Sequence, residues 1–328
     1  MHKKITVSAP GKLMLFGEHA VVYGKPCIVT AVNQRLSLTA SYNDEPVFRL
    51  NAPDVDIKNY SKLMSHLGED EIPKGAKFVE FATKNFFEKY ADAIPPHAGI
   101  QLETVAQFKS TFGFGSSSAS AVCTVKALAE IFKPELTQKE IFDLAYQTVL
   151  DVQGLGSGFD LAAAIYGETL YFVAGGKTIQ PLAISHLPLI VGYTGVKADT
   201  ATIVKEVEAR FENNQADLNK IYNNMEKIVE EAKVAFTNND LKKLGELMNS
   251  NQSLLEQLGV STNKLSSIIN AVRNAGAFGA KLSGAGGGDC MIALAPENRI
   301  KAVQQAIQNA GGQVIKVKVN TDGVRLEQ

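Results

Sequence analysis

Tryptophan is absent from this chain of 328 residues, an absence that excludes no function. Charge of one sign is not in excess either: 33 lysines and arginines face 34 aspartates and glutamates, for a formal net charge of −1. No overall basic field therefore draws the protein to nucleic acid or to an anionic membrane surface. Nowhere do about 18 apolar residues run together, so no segment is read as spanning a membrane. Residues 1–7 pass directly into a strand-like segment with no apolar signal core. Cysteine is scarce. Cys27, Cys123 and Cys290 are odd in number, far apart and set among apolar or small residues. They read as reduced, buried thiols of a cytoplasmic protein, not as a disulfide framework or a zinc site. Two familiar nucleotide signatures are also missing. Gly175-Gly176-Lys177-Thr178 has the look of a P-loop tail, but Tyr171 stands where its first glycine belongs. No G-x-G-x-x-G fingerprint follows a strand at the start of a βαβ unit, so a P-loop and a Rossmann fold are both disfavoured.

What is present is a globular composition, 45% hydrophobic and 20% charged. The length suits one large domain or two ordinary ones, with a core that needs no disulfide or metal. Residues 5–8, 12–16, 36–41 and 47–51 have the alternation of strands, and residues 76–90 bring Phe78, Phe81, Phe86 and Phe87 near one helical face. Residues 99–105 return to strand. Residues 116–132 predict a strong helix with Ala119, Val122, Cys123, Leu128 and Phe132 in a wide apolar stripe. Thr137 and Glu140 predict a capping box for a second helix reaching about residue 152. Residues 161–166 and 169–173 carry the chain across a turn, and Gly175-Gly176-Lys177 marks a domain boundary. Beyond it, residues 187–193 read as strand and residues 200–269 as almost wholly helical. The end reads as strands at 280–282 and 289–293, a helix at 301–309 and an alternating strand at 314–319. Strands and helices mix without a regular βαβ period, so the expected class is α+β.

Three elements carry chemistry. Gly113-Phe114-Gly115-Ser116-Ser117-Ser118 runs straight into a helix. Small residues let a backbone approach an anion, a helix N-terminus offers free N–H groups, and serine hydroxyls can take phosphate oxygens or Mg²⁺. The alternative is an ordinary glycine turn with a serine N-cap. Ser283-Gly284-Ala285-Gly286-Gly287-Gly288-Asp289 places four glycines in seven residues between two strands. At roughly 0.5–1 kcal/mol of backbone entropy per glycine, such a loop implies close approach to a ligand or another backbone. Its alternative is a flexible hairpin. In the third element, Ser8-Ala9-Pro10-Gly11-Lys12-Leu13-Met14-Leu15-Phe16-Gly17-Glu18-His19, three polar groups bracket an apolar strand. Each alone reads as a solvated surface group.

Taken together, residues 10–24, 113–119 and 281–289 resemble motifs one, two and three of the GHMP kinase superfamily, in order, and the resemblance covers nearly the full length. Gly17-Glu18-His19-Ala20-Val21-Val22-Tyr23-Gly24, Thr194-Gly195-Val196-Lys197-Ala198-Asp199-Thr200, Glu246-Leu247-Met248-Asn249-Ser250-Asn251-Gln252 and Leu258-Gly259-Val260-Ser261 are similar to its mevalonate kinases. Gly154-Leu155-Gly156-Ser157-Gly158-Phe159 and Phe112-Gly113-Phe114-Gly115 look more like its phosphomevalonate kinases. Val21-Val22 stand where galactokinases carry Asp-Tyr, against a sugar acceptor, and a non-catalytic relative would be expected to lose Asp160 or Lys12.

The resemblance implies a two-domain GHMP kinase fold. Residues 1–175 would form an N-terminal domain similar to ribosomal protein S5 domain 2, and residues 176–328 a ferredoxin-like α/β sandwich, with the active site in the cleft between them. It implies ATP-dependent phosphorylation of the primary hydroxyl of mevalonate, or of phosphomevalonate in the alternative. ATP would lie on Gly113, Gly115, Ser116, Ser117 and Ser118, facing Ser283, Gly284, Gly286 and Gly287. Asp160 takes the catalytic-acid position with Lys12 beside it, Ser117 that of the Mg²⁺ ligand, and Glu18, His19, Ser157, Gly158 and Thr200 those around the acceptor. Read without the resemblance, Asp160 is a helix N-cap. The family usually places a metal-binding glutamate where this chain has Val149, and Asp151 is expected as its substitute, although two residues rotate it by about 200° on a helix. The implied partners are ATP and mevalonate, with Mg²⁺, in the cytoplasm and without nucleic acid or membrane. Relatives of this kind are often homodimers.

Overall fold

Proline and glycine at positions 10 and 11 do not end the first strand. In the computed structural model, which describes residues 4–132, 135–184 and 186–327, β1 runs unbroken over Lys4–Phe16. It joins the two strands expected at 5–8 and 12–16. Pro10 is tolerated because the pairing with the next strand slips there: Pro10 faces Arg35, and Gly11 already faces Val32. A bulge is one of the few places where a strand accepts proline. The first three residues of the expected entry into strand lie outside the described residues.

The chain continues through β2 (Pro26–Asn43), β3 (Val47–Ala52), β4 (Ile57–Leu63), α1 (Lys77–Lys89), β5 (Gly99–Ala106), α2 (Ser116–Phe132), α3 (Gln138–Gln153), α4 (Phe159–Tyr166), β6 (Thr169–Val173) and β7 (Thr178–Pro181). After these come β8 (Leu189–Tyr193), α5 (Thr200–Arg210), α6 (Gln215–Thr237), α7 (Leu241–Leu258), α8 (Asn263–Asn274), β9 (Gly279–Ser283), β10 (Cys290–Leu294), α9 (Ile300–Asn309), β11 (Gln313–Ile315) and β12 (Arg325–Leu326). Helices and strands mix without a regular βαβ period, as the α+β expectation required. The capping box forms at α3, where Thr137 Oγ1 accepts from Glu140 N and Glu140 Oε2 accepts from Thr137 N.

Eight strands make the larger sheet, in the order β12-β1-β2-β5-β3-β4, with β6 on the first half of β2 and β7 beyond β6. Among the described residues, only β3 and β5 pair in parallel. The smaller sheet is antiparallel, in the order β11-β8-β10-β9. Helices α2 and α4 lie on β1 and β2, and α1 and α3 pack over α2. Phe48, Phe86, Phe114, Phe142 and Phe172 are fully buried in the shared core, each contributing about 1.5–3 kcal/mol. On the smaller sheet, α8 and α9 cover one face, while α7 packs on β9 and α6 reaches back to β1 and β2.

Gly175 and Gly176, at φ 72° and 70°, turn β6 into β7 within the larger sheet, and the switch to the smaller sheet comes at β8. Residues 161–166 fall in α4 and residues 169–173 form β6, on either side of the expected turn. The strand expected at 314–319 stops at Ile315, because the chain there leaves the smaller sheet. Asn33 N donates to Lys318 O and Asn33 Oδ1 accepts from Lys318 N, so the bulged part of β2 captures it.

Candidate active site

The bulge at Gly11 positions the site. An added Cβ there would stand 3.1 Å from Phe114 Cβ and 3.2 Å from Phe114 O, so glycine lets the loop before α2 lie on β1 without a shift of a few tenths of an ångström. Lys12 N donates to Phe114 O at 3.0 Å, and the Phe114 ring is buried between Phe108 and Phe112, each 5.7 Å away. Gly113 and Gly115, at φ 70° and 79°, take the left-handed conformations that side chains resist. The first bond of α2 runs from Ala119 N to Gly115 O. The amides of Ser116, Ser117 and Ser118 therefore precede the helical ladder and carry the positive end of its dipole.

Lys12 and Asp160 converge on this loop. Lys12 is 8% exposed; its Nζ donates to Gly113 O at 3.0 Å and sits 5.2 Å from the centre of the Phe159 ring. A Cβ on Gly115 would meet Lys12 Cε at 3.2 Å and Asp160 Cβ at 3.8 Å. Asp160 is half-buried in the first turn of α4 and is not its N-cap. Gly158, at φ 87°, holds that place, where a Cβ would press on Phe142 and Tyr146. Ser157 is buried beside it, its carbonyl accepting from Gly175 N. Side chains bearing a carboxylate and an ammonium thus gather at Gly115, beside a helix start with free amides, an arrangement suited to moving a phosphoryl group onto a hydroxyl.

Other expected residues are placed differently. Glu18 is 1% exposed and forms an ion pair with Lys281, itself fully buried in β9. Burial pushes the Glu18 carboxyl up and the Lys281 ammonium down, and each partner's charge opposes the shift. Asn251 of α7 donates to Glu18 Oε2 and accepts from Gly17 N. His19, at φ 61°, gives its Nε2–H to Ala285 O at 2.8 Å, and burial lowers its pKa. Ser283 Oγ donates to Met14 O and accepts from Met14 N. Motif one and motif three are therefore fastened together by Glu18, His19 and Ser283. Gly286 and Gly287 let the motif-three loop lie on Val260 and Ile203, while Gly284, at φ 105°, has open space around it.

Thr200 is exposed at the start of α5, next to that loop. Both Asp151 oxygens accept hydrogen bonds, from Asn85 Nδ2 of α1 and from Gln147 Nε2. Val149 instead packs against Gly156. Among the described residues, no group of three or more His, Cys, Asp or Glu is placed to hold a metal ion. Sequence reasoning passed over three residues: Lys281, Asn251 and Asp289. Each lies inside a quoted stretch, but only the fold reveals its partner.

Comparison with known proteins agrees with this geometry. Residues 77–168 match the family described as GHMP kinases N terminal domain, and residues 214–313 match GHMP kinases C terminal. The chain is 38% identical to the mevalonate kinase of Pyrococcus horikoshii, covering 100% of this chain and 99% of that one. It is 37% identical to the mevalonate kinase of Thermococcus sibiricus, over 99% and 98%. Among solved structures, the Methanococcus jannaschii mevalonate kinase superposes with a TM-score of 0.80 at 27% identity, over 98% of this chain and 99% of that one. The L. major mevalonate kinase in complex with R-mevalonate gives 0.77 at 26%, over 98% and 97%.

Proposed function

The chain belongs to the GHMP kinases, in their mevalonate kinase branch, and from that premise we propose that it transfers the γ-phosphoryl group of ATP to the primary hydroxyl of mevalonate, giving 5-phosphomevalonate. The observation that carries the assignment of roles is the convergence of Lys12 and Asp160 on Gly115, at the open start of α2.

The triphosphate lies along Gly113, Gly115 and the amides of Ser116, Ser117 and Ser118, which supply preorganised donors for its oxygens. Asp160 orients the acceptor hydroxyl and takes its proton as the oxygen attacks the γ-phosphorus, while the bond to the departing ADP breaks. Lys12 places a positive charge next to the transferring phosphoryl, where charge shifts in a loose transition state. Thr200 and the loop through Ser157 and Gly158 flank the acceptor. The donors present fit Mg²⁺ held mostly by phosphate oxygens, since the Ser117 hydroxyl stands in the half-buried first turn of α2 and this ion needs only one or two protein oxygens besides phosphates and water. When bound, Mg²⁺ neutralises phosphate charge. Glu18 and His19 act here as supports of motif three, not as acceptor contacts. Three free, buried thiols support placing this chemistry in the cytoplasm.

A coupled ADP-release assay with Mg·ATP, offering mevalonate and 5-phosphomevalonate in parallel, tests the reading. Turnover with mevalonate is expected. Turnover with 5-phosphomevalonate alone, or none with either, overturns it.

A further inference from the structure

We propose that Asp289 is a positioning residue for the acceptor side of the site: its carboxylate holds residues 194–200, and with them Thr200, against the loop that opens α2. The inference rests on the acceptor-side reading of Thr200 given above.

Asp289 ends the glycine-rich loop and enters β10 in a left-handed conformation, φ 54°, while being only 8% exposed. Its backbone grips residues 194–200 first. Asp289 N donates to Val196 O at 2.8 Å, and Asp289 O accepts from both Thr194 N and Thr194 Oγ1 at 3.0 Å. The side chain adds a further tie, Oδ1 accepting from Ala198 N at 2.9 Å. Oδ2 faces the opposite way. A Cβ built on Gly113 would stand 2.7 Å from it, so the carboxylate fills the gap between the motif-three loop and the motif-two loop. Gly288 permits the approach, because a side chain there would collide with Val196 O at 2.6 Å.

One residue therefore joins three segments that are distant in sequence. Burial raises the Asp289 carboxyl, and the Ala198 amide, Lys12 and Lys197 pull it back down. The bond to Ala198 is the part of this junction that belongs to the side chain alone. Lys12 feels the charge of this carboxylate, so the isosteric amide Asp289→Asn is needed to separate loss of that charge from loss of the bond.

The expected consequence is a split between binding and turnover. Losing a charge-assisted tie that orders the acceptor side should raise KM for mevalonate about tenfold, with kcat held within about threefold. Asp289→Gly removes the carboxylate and suits the left-handed backbone. Asp289→Asn keeps an oxygen that can accept from Ala198 N and should return KM to within about twofold of the parent. Both variants of the full chain would be assayed at saturating Mg·ATP, and amide hydrogen exchange over residues 194–200 would be followed without substrate. Faster exchange there in Asp289→Gly, reversed in Asp289→Asn, supports the role. An unchanged KM in Asp289→Gly overturns it, as does Asp289→Asn matching Asp289→Gly, which would make charge and not the bond to Ala198 the active quantity. If the parent chain fails to phosphorylate mevalonate, the proposed function has failed. The exchange measurement still decides, and an unaltered rate over 194–200 in Asp289→Gly overturns the positioning role.

Discussion

Asp160 occupies the second residue of α4 and leaves the capping position to Gly158. A carboxylate there gains from the helix dipole without capping the backbone. Asp160→Asn preserves shape and removes the proton acceptor. It should lower kcat by about 10²–10⁴-fold while calorimetric ATP binding stays near the parent value; full activity would remove Asp160 from the chemistry. His19 is held in its neutral form by burial, against the opposite pull of the bond from Nε2–H to Ala285 O. Burial depresses its folded pKa below the ordinary 6.5, so its contribution to stability is whole above that value and drains away as pH falls toward the folded pKa. The melting temperature should therefore fall between pH 7 and about 5.5 more steeply in the parent than in His19→Gln, which retains an N–H donor. Identical slopes would show that His19 does not titrate in that window.

At the scale of elements, the glycine loop before α2 gives the clearest test. Gly115→Ala forces a side chain into a left-handed backbone, at about 1–2 kcal/mol, and crowds Lys12 Cε from 3.2 Å. Turnover should drop about tenfold or more with the helix itself intact by circular dichroism. Parent-like turnover would mean that Lys12 has room to move aside. This loop was legible in the sequence because its demands are local: glycines for left-handed turns, serines for a helix start. The α3 capping box was legible for the same reason. The front half of β2 was not. Cys27, Ile28, Val29, Ala31 and Val32 are all buried, covered on both faces, and so lack the alternation that announces a strand. Lys12 and Asp160 stood out only through resemblance to a family, since each alone has a commoner structural use. The ion pair of Glu18 was not legible because its partner Lys281 is 263 positions away, and a charge at the end of an apolar strand looks solvated until the fold closes over it.

At the scale of the whole molecule, the two sheets are joined through β1 and β9 by Met14 with Ser283, Glu18 with Lys281 and His19 with Ala285. Removing one member of a fully buried ion pair strands the other. Lys281→Met should therefore cost roughly 3–5 kcal/mol in urea unfolding, and pairing it with Glu18→Gln should recover much of the loss. A double variant as unstable as the single one would mean that the pair is not what fails.

The strand β12 lies on the outer edge of β1, with Val7 facing Leu326 and Ser8 facing Arg325, and Arg35 reaches across to the carbonyls of Asp322 and Gly323. During synthesis on the ribosome, β1 emerges more than three hundred residues before β12. Until then the strand that carries Lys12 keeps its outer backbone groups at residues 7 and 8 unpaired, a template for another nascent chain. Translation must pass β12 before that edge is closed, so a product cut short ahead of β12 would be the form most prone to aggregate.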